Sequence, residues 1–104
     1  MPYQVIISPT AADQIRELTA RQRSMVLEGI SQQLTSQPTV ETRNRKLMRP
    51  NPLASWELRI GQLRVYYDVE EEPEAIVEIL AVGIKDRNQV RFGDRLWEET
   101  DEDS

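Results

Sequence analysis

The chain contains neither cysteine nor histidine. The first absence removes disulfides, thiolate nucleophiles and cysteine-based metal sites together. The second removes the usual acid/base at neutral pH and the commonest zinc ligand. A serine–histidine triad and a zinc hydrolase are therefore excluded, and neither metal nor cofactor is expected. Any chemistry falls to carboxylate, arginine, lysine or tyrosine. Long apolar runs are missing as well: no window approaches the roughly 18 residues of a membrane helix. The opening Met1-Pro2-Tyr3-Gln4 has no basic flank and leads into no long apolar run, so no secretory signal is expected. The expectation is an intracellular, cytoplasmic protein without membrane contact.

What is present suits one small domain. The chain has 104 residues, 38% hydrophobic and 30% charged, and this length leaves little room for a second core. We expect a single domain over 1–96. The acidic tail over 97–104 is too poor in apolar residues to fold alone and is expected to be disordered. The formal net charge of −5 speaks against nucleic acid only as a single number. Residues 98–104 carry five acids and no base, and residues 68–78 carry six acids and no base. Residues 41–66 carry six bases against two acids, and residues 85–95 four against two. A field segregated in this way steers an anionic ligand even when the total is negative.

Gln4-Val5-Ile6-Ile7-Ser8 is short and β-branched, stops at Pro9, and reads as a strand. Thr10 occupies an N-cap position with Asp13 three residues on, and Ala11, Ile15 and Leu18 recur at helical spacing. A second helix is predicted from about residue 21 to 35, with Met25, Val26, Ile30 and Leu34 on one stripe. Residues 36–55, with three prolines and the four bases Arg43, Arg45, Lys46 and Arg49, read as an extended basic connector. Residues 56–60 and 63–69 alternate as two strands around Gly61-Gln62, and Gly61 suits a type II′ turn. Residues 75–82 are apolar almost throughout, as in a strand covered on both faces. The predicted fold is α+β, with two N-terminal helices on one face of an antiparallel sheet of about four strands. Nothing in this reading covers the other face, which is left for solvent, partner or substrate.

The hairpin carries the functional argument. With Gly61-Gln62 as the turn, Trp56, Leu58, Ile60, Leu63, Val65 and Tyr67 fall on the helix side, and Trp56 reads as core. Glu57, Arg59, Arg64 and Tyr66 fall on the outer side, with Arg59 directly opposite Arg64. Like charges so placed destabilise a hairpin by up to about 1 kcal/mol. A phosphate gripped by two guanidinium forks would reverse that sign. The alternative is that each arginine finds a carboxylate, with Glu57 and Glu78 both in reach.

Gly61-Gln62-Leu63-Arg64-Val65-Tyr66-Tyr67, the apolar strand ending in Val82-Gly83, and then Lys85 resemble the RelE/ParE superfamily of toxins from toxin–antitoxin pairs. Lys46-Leu47-Met48-Arg49 and Trp56-Glu57-Leu58-Arg59 add to the likeness, which follows the order of elements to about Phe92. The resemblance implies cleavage of messenger RNA on the ribosome without a metal, with Arg64 at the scissile phosphate and Lys85 where the family has a second catalytic cation. It implies as partners a cognate antitoxin protein, the ribosome with its message, and operator DNA only through the antitoxin complex. Two positions depart from the family. Glu57 and Arg59 stand where RNA-cleaving members place lysines, and Arg91 and Phe92 stand where those members carry a late tyrosine or histidine. Two other functions on the same fold are a ParE-like inhibitor of DNA gyrase and an inactive, antitoxin-bound co-repressor.

For RNA cleavage, Arg64 backed by Arg59 supplies the cation, Glu57 is the candidate base, and Lys85 or Tyr66 the candidate acid. Lys46, Arg49, Arg87 and Arg91, with Arg59, are the candidate RNA-binding residues.

Overall fold

Pro9 has no N–H to leave unpaired and a backbone preset for a helix, so it suits the first helical position and hands the cap to the residue before it. In the computed structural model, which describes residues 2–93 and 95–98, Ser8 is that cap, its Oγ accepting from the Ala11 N–H at 3.1 Å. Helix α1 therefore spans Pro9–Arg16, and the cap expected at Thr10 lies two residues too late. Helix α2 spans Ala20–Gln33 behind a reciprocal capping box between Thr19 and Gln22.

Seven strands occur among the described residues: β1 (Gln4–Ile7), β2 (Arg45–Leu47), β3 (Trp56–Ile60), β4 (Leu63–Glu70), β5 (Ile76–Asp86), β6 (Gln89–Phe92) and β7 (Arg95–Glu98). The sheet runs β2-β3-β4-β5-β6-β7, with β1 lying parallel to β5. The expected antiparallel sheet of about four strands is thus corrected to a mixed sheet of seven. The basic connector contributes β2, and the arginine-bearing segment after Gly83 contributes the end of β5, then β6 and β7. Strand β7 includes residues 97 and 98, the first two of the expected tail; residues 99–104 lie outside the described residues.

The β3–β4 hairpin has the expected register: Trp56 opposes Tyr67, Leu58 opposes Val65 and Arg59 opposes Arg64. Gly61 sits at φ +58°, the positive value a II′ turn asks of its first central residue. The main core gathers Ala11, Ile15 and Leu18 with Val26, Ile30 and Leu34 from the helical segment. Against these lie Trp56, Leu58, Leu63, Val65 and Tyr67 from the hairpin and Val77, Ile79 and Val82 from β5. Tyr67 donates its buried hydroxyl to the Pro38 carbonyl at 2.7 Å. Burial raises the phenol pKa, opposed in part by the charge of Arg45. Arg45 does not belong to an open basic surface. It is buried, donating Nε to Val40 O at 2.8 Å and Nη1 to the carbonyl and side-chain oxygens of Gln33.

The outer face is not bare. A second cluster of Ala54, Tyr66, Ala81, Val90 and Phe92, with Met48, Leu53, Leu80 and Trp97 packed against it, covers part of that face. Gly83 permits this. A Cβ at that position would lie 2.7 Å from Arg91 O, 2.7 Å from Val90 Cγ1 and 2.8 Å from Phe92 Cδ1, so β6 closes onto a site where only hydrogen fits. Gly83→Ala is expected to cost about 1–3 kcal/mol through overpacking. In a thermal melt this reads as a fall of at least about 4 °C. A midpoint within a degree of the parent would show that β6 does not press on β5 as described.

Candidate functional site

Directly opposed residues of adjacent strands share a face, so the register sets out the site in three rows. Lys46, Glu57, Tyr66 and Ala81 form one across β2, β3, β4 and β5. Arg59, Arg64 and Gly83 form the next. Lys85, two residues beyond Gly83 and hence on the same face, begins the third, followed by Val90 and Trp97. Six of the sequence-predicted residues are thereby brought together: Lys46, Glu57, Arg59, Arg64, Tyr66 and Lys85.

Glu57 lies at the centre and is 2% exposed. Its Oε1 accepts from Arg59 Nε at 2.9 Å, and its Oε2 lies 3.9 Å from Arg64 Nε. The repulsion between the two opposed arginines is therefore relieved by a carboxylate between them, which is the alternative the hairpin register left open. Glu78 plays no part in it: the register sets Glu78 opposite Asp68. Removing Arg59, the partner at hydrogen-bond distance, would strand much of that buried charge, a loss of about 3–5 kcal/mol.

The Arg64 side chain turns back over the hairpin, its Nη1 donating to Gly61 O at 2.7 Å and Leu63 O at 2.9 Å. This fixes the guanidinium above the turn with 11% of the side chain exposed. Its Nε is buried and makes no hydrogen bond among the described residues, a donor held near Glu57 but not committed to it. Strand β5 is tied to the same turn by the Lys85 N–H, which donates to Gln62 O at 2.7 Å. Arg64 and Lys85 thus meet at one end of the sheet, beside residues 61–62.

The remaining predicted residues fare differently. Tyr66 shares the outer face as expected but is not exposed; it is fully buried, with Phe92 edge-on at 5.8 Å and Trp97 edge-on at 5.5 Å. Arg91 opposes Ile84 and Leu96, which puts it on the opposite face of the sheet from Arg64. Arg87 occupies the β5–β6 turn at φ +62°, exposed beyond the end of the sheet. Arg49 lies just past β2 and is exposed. The aromatic patch of Phe92 and Trp97 is the part that sequence reasoning missed. Its signal was the alternation Gln89-Val90-Arg91-Phe92 followed by Gly93, a period-2 pattern masked by charge.

Fixed guanidiniums beside a lysine and a carboxylate are the kinds of group that phosphodiester recognition and proton transfer call for. Among the described residues no group of acids is placed to hold a metal ion, and no helix is long and apolar enough to cross a membrane.

No protein-family model matches the chain, and no curated protein matches it. Solved structures do. The chain is similar to one in the toxin–antitoxin complex RelBE2 from Mycobacterium tuberculosis, at 27% identity and a TM-score of 0.71, covering 82% of this chain and 100% of that one. It is also similar in fold to one in the archaeal RelE–RelB complex from Pyrococcus horikoshii OT3, at 20% identity and a TM-score of 0.66, covering 84% of this chain and 99% of that one.

Proposed function

We propose that this RelE-like chain is the toxin of a toxin–antitoxin pair and cuts messenger RNA on the ribosome. The observation that carries the reading is the pairing of Arg59 and Arg64 with Glu57 on a sheet face that also bears Lys46 and Lys85. The full-length match to a chain of a toxin–antitoxin complex supports it, as it does a cognate antitoxin as partner. Operator DNA would be met only through that complex.

The chemistry needs three things: a base for the 2′-hydroxyl proton, a cation for the crowded phosphate, and an acid for the departing oxygen. Arg64 grips the non-bridging oxygens, with Arg59 drawn from Glu57 toward the phosphate as it enters. That shift frees Oε1 of Glu57 to take the 2′-hydroxyl proton. The 2′-oxygen attacks phosphorus, the bond to the 5′-oxygen breaks, and Lys85 protonates the leaving oxygen. The products are a 2′,3′-cyclic phosphate and a 5′-hydroxyl. Lys85 is assigned the acid in preference to Tyr66, which is buried against Phe92 and Trp97. Lys46 and Arg49 extend the cationic track for neighbouring phosphates.

Expression of the chain alone, with translation and plasmid supercoiling followed in parallel, tests the reading. Growth should stop with protein synthesis falling first and supercoiling unchanged. Growth arrest with altered supercoiling and intact transcripts would overturn it in favour of a gyrase inhibitor.

A further inference from the structure

The chain's excess of acid sits in one place. Residues 1–97 carry thirteen bases and thirteen acids, so the whole net charge of −5 belongs to residues 98–104. The sheet decides where that segment starts. Lys85, Val90 and Trp97 are directly opposed across β5, β6 and β7, and the next row is Asp86, Gln89 and Glu98. Strand β7 therefore ends at the end of the sheet that holds the β5–β6 turn with the exposed Arg87. The β3–β4 turn lies at that end too, tied to β5 by the Lys85 N–H, with the Arg64 guanidinium fixed above it. From β7 to β5 is two strand spacings, roughly 10 Å, and to β4 three, roughly 14 Å. Residues 99–103 span up to roughly 17 Å when extended, enough to reach Lys85 and Arg64. Lys46 on β2 is five spacings from β7, roughly 24 Å, and lies beyond them.

We propose that residues 99–103, which carry Glu99, Asp101, Glu102 and Asp103, dock on the cationic end of the outer face at Arg64 and Lys85 and compete with RNA for it. The proposal rests on the RNA reading above and adds to it a regulation of the same site. A carboxylate offers a guanidinium or an ammonium the same kind of oxygen acceptors as a phosphate, so the two ligands exclude each other. Each exposed ion pair is weak alone. Tethering offsets that weakness, because a segment joined to the sheet a few residues away is present at high effective concentration. The chain would thus hold its own site partly occupied, and RNA would bind the fraction left open.

The intact chain offers its own probe, since Lys46 and Lys85 are its only lysines. Zero-length carbodiimide coupling followed by peptide mapping reports which of them the carboxylates of residues 99–103 touch. Lys85 should couple to that segment at about 50 mM salt and lose the coupling at about 500 mM, and Lys46 should not couple to it at either. In parallel, a short 2′-O-methyl RNA, which cannot be cut, is titrated onto the intact chain and two full-length variants. One carries Asp101→Asn, Glu102→Gln and Asp103→Asn. The other carries Glu70→Gln, Glu72→Gln and Glu74→Gln, which remove as many charges at the opposite end of β4 and β5. At low salt the first variant should bind the RNA about three- to thirty-fold more tightly than the parent, and the second within about twofold of it. No coupling of Lys85 to residues 99–103, an unchanged RNA affinity in the first variant, or equal tightening in both would overturn the docking while leaving the phosphate site standing. If the RNA binds none of the three folded chains, the RNA reading falls and the competition falls with it.

Discussion

Trp56→Ala is expected to unfold this protein or bring it close to unfolding. The indole is 9% exposed and lies within the main core, its ring stacked on Tyr67 at 6.2 Å and 20°. Truncating a buried tryptophan costs about 3–5 kcal/mol, through lost transfer energy and the cavity left behind. A domain of this length holds about 5–15 kcal/mol in total. The melting midpoint should therefore fall by at least about 12 °C. Leu96→Ala, at a residue 61% exposed, is the control and should shift stability by no more than about 0.5 kcal/mol. A Trp56→Ala protein that melts within two degrees of the parent would overturn the assignment of sheet faces. The site would go with it, because Arg59 and Arg64 owe their position to the same alternation.

That alternation is why the hairpin was legible in sequence. Gly61 between two period-2 runs sets the register, and the register decides which of Trp56, Glu57, Leu58 and Arg59 point to the helices. Strands β6 and β7 were not legible for the converse reason. The turn into β6 is made by Arg87 at φ +62°, a conformation usually left to glycine or asparagine. Arg91 and Arg95 also add charges that hide the alternation of Val90 and Phe92. The parallel pairing of β1 with β5 joins segments some seventy residues apart and has no local signature. The burial of Tyr66 was hidden too, because it depends on β6 closing over Gly83. Of the site, the hairpin alternation pointed to Arg59 and Arg64, and the family resemblance to Lys85. Only the register showed that Arg91 belongs to the other face and that Trp97 belongs to this one.

Arg64→Ala should abolish message cleavage while leaving the fold standing. The side chain lies on the outer face and its hydrogen bonds go to the turn carbonyls of Gly61 and Leu63. Its loss opens no cavity in the main core, and Glu57 keeps its bond to Arg59 at 2.9 Å. Stability should fall by about 1 kcal/mol, the net worth of a hydrogen bond or two. A two-donor contact to the transition-state phosphate is worth about 3–4 kcal/mol, so the cleavage rate should drop by a factor on the order of a hundred to a thousand. Arg64→Lys should recover only part of it, since an ammonium keeps the charge and loses the fork.

The most direct measurement maps the ends of a message held in a purified translating ribosome, with the intact chain and with Arg64→Ala added side by side. The account predicts cuts within the ribosome-bound codon, a 2′,3′-cyclic phosphate on the upstream fragment, and no cuts above background with the variant. A message left whole by the intact, folded chain would contradict it.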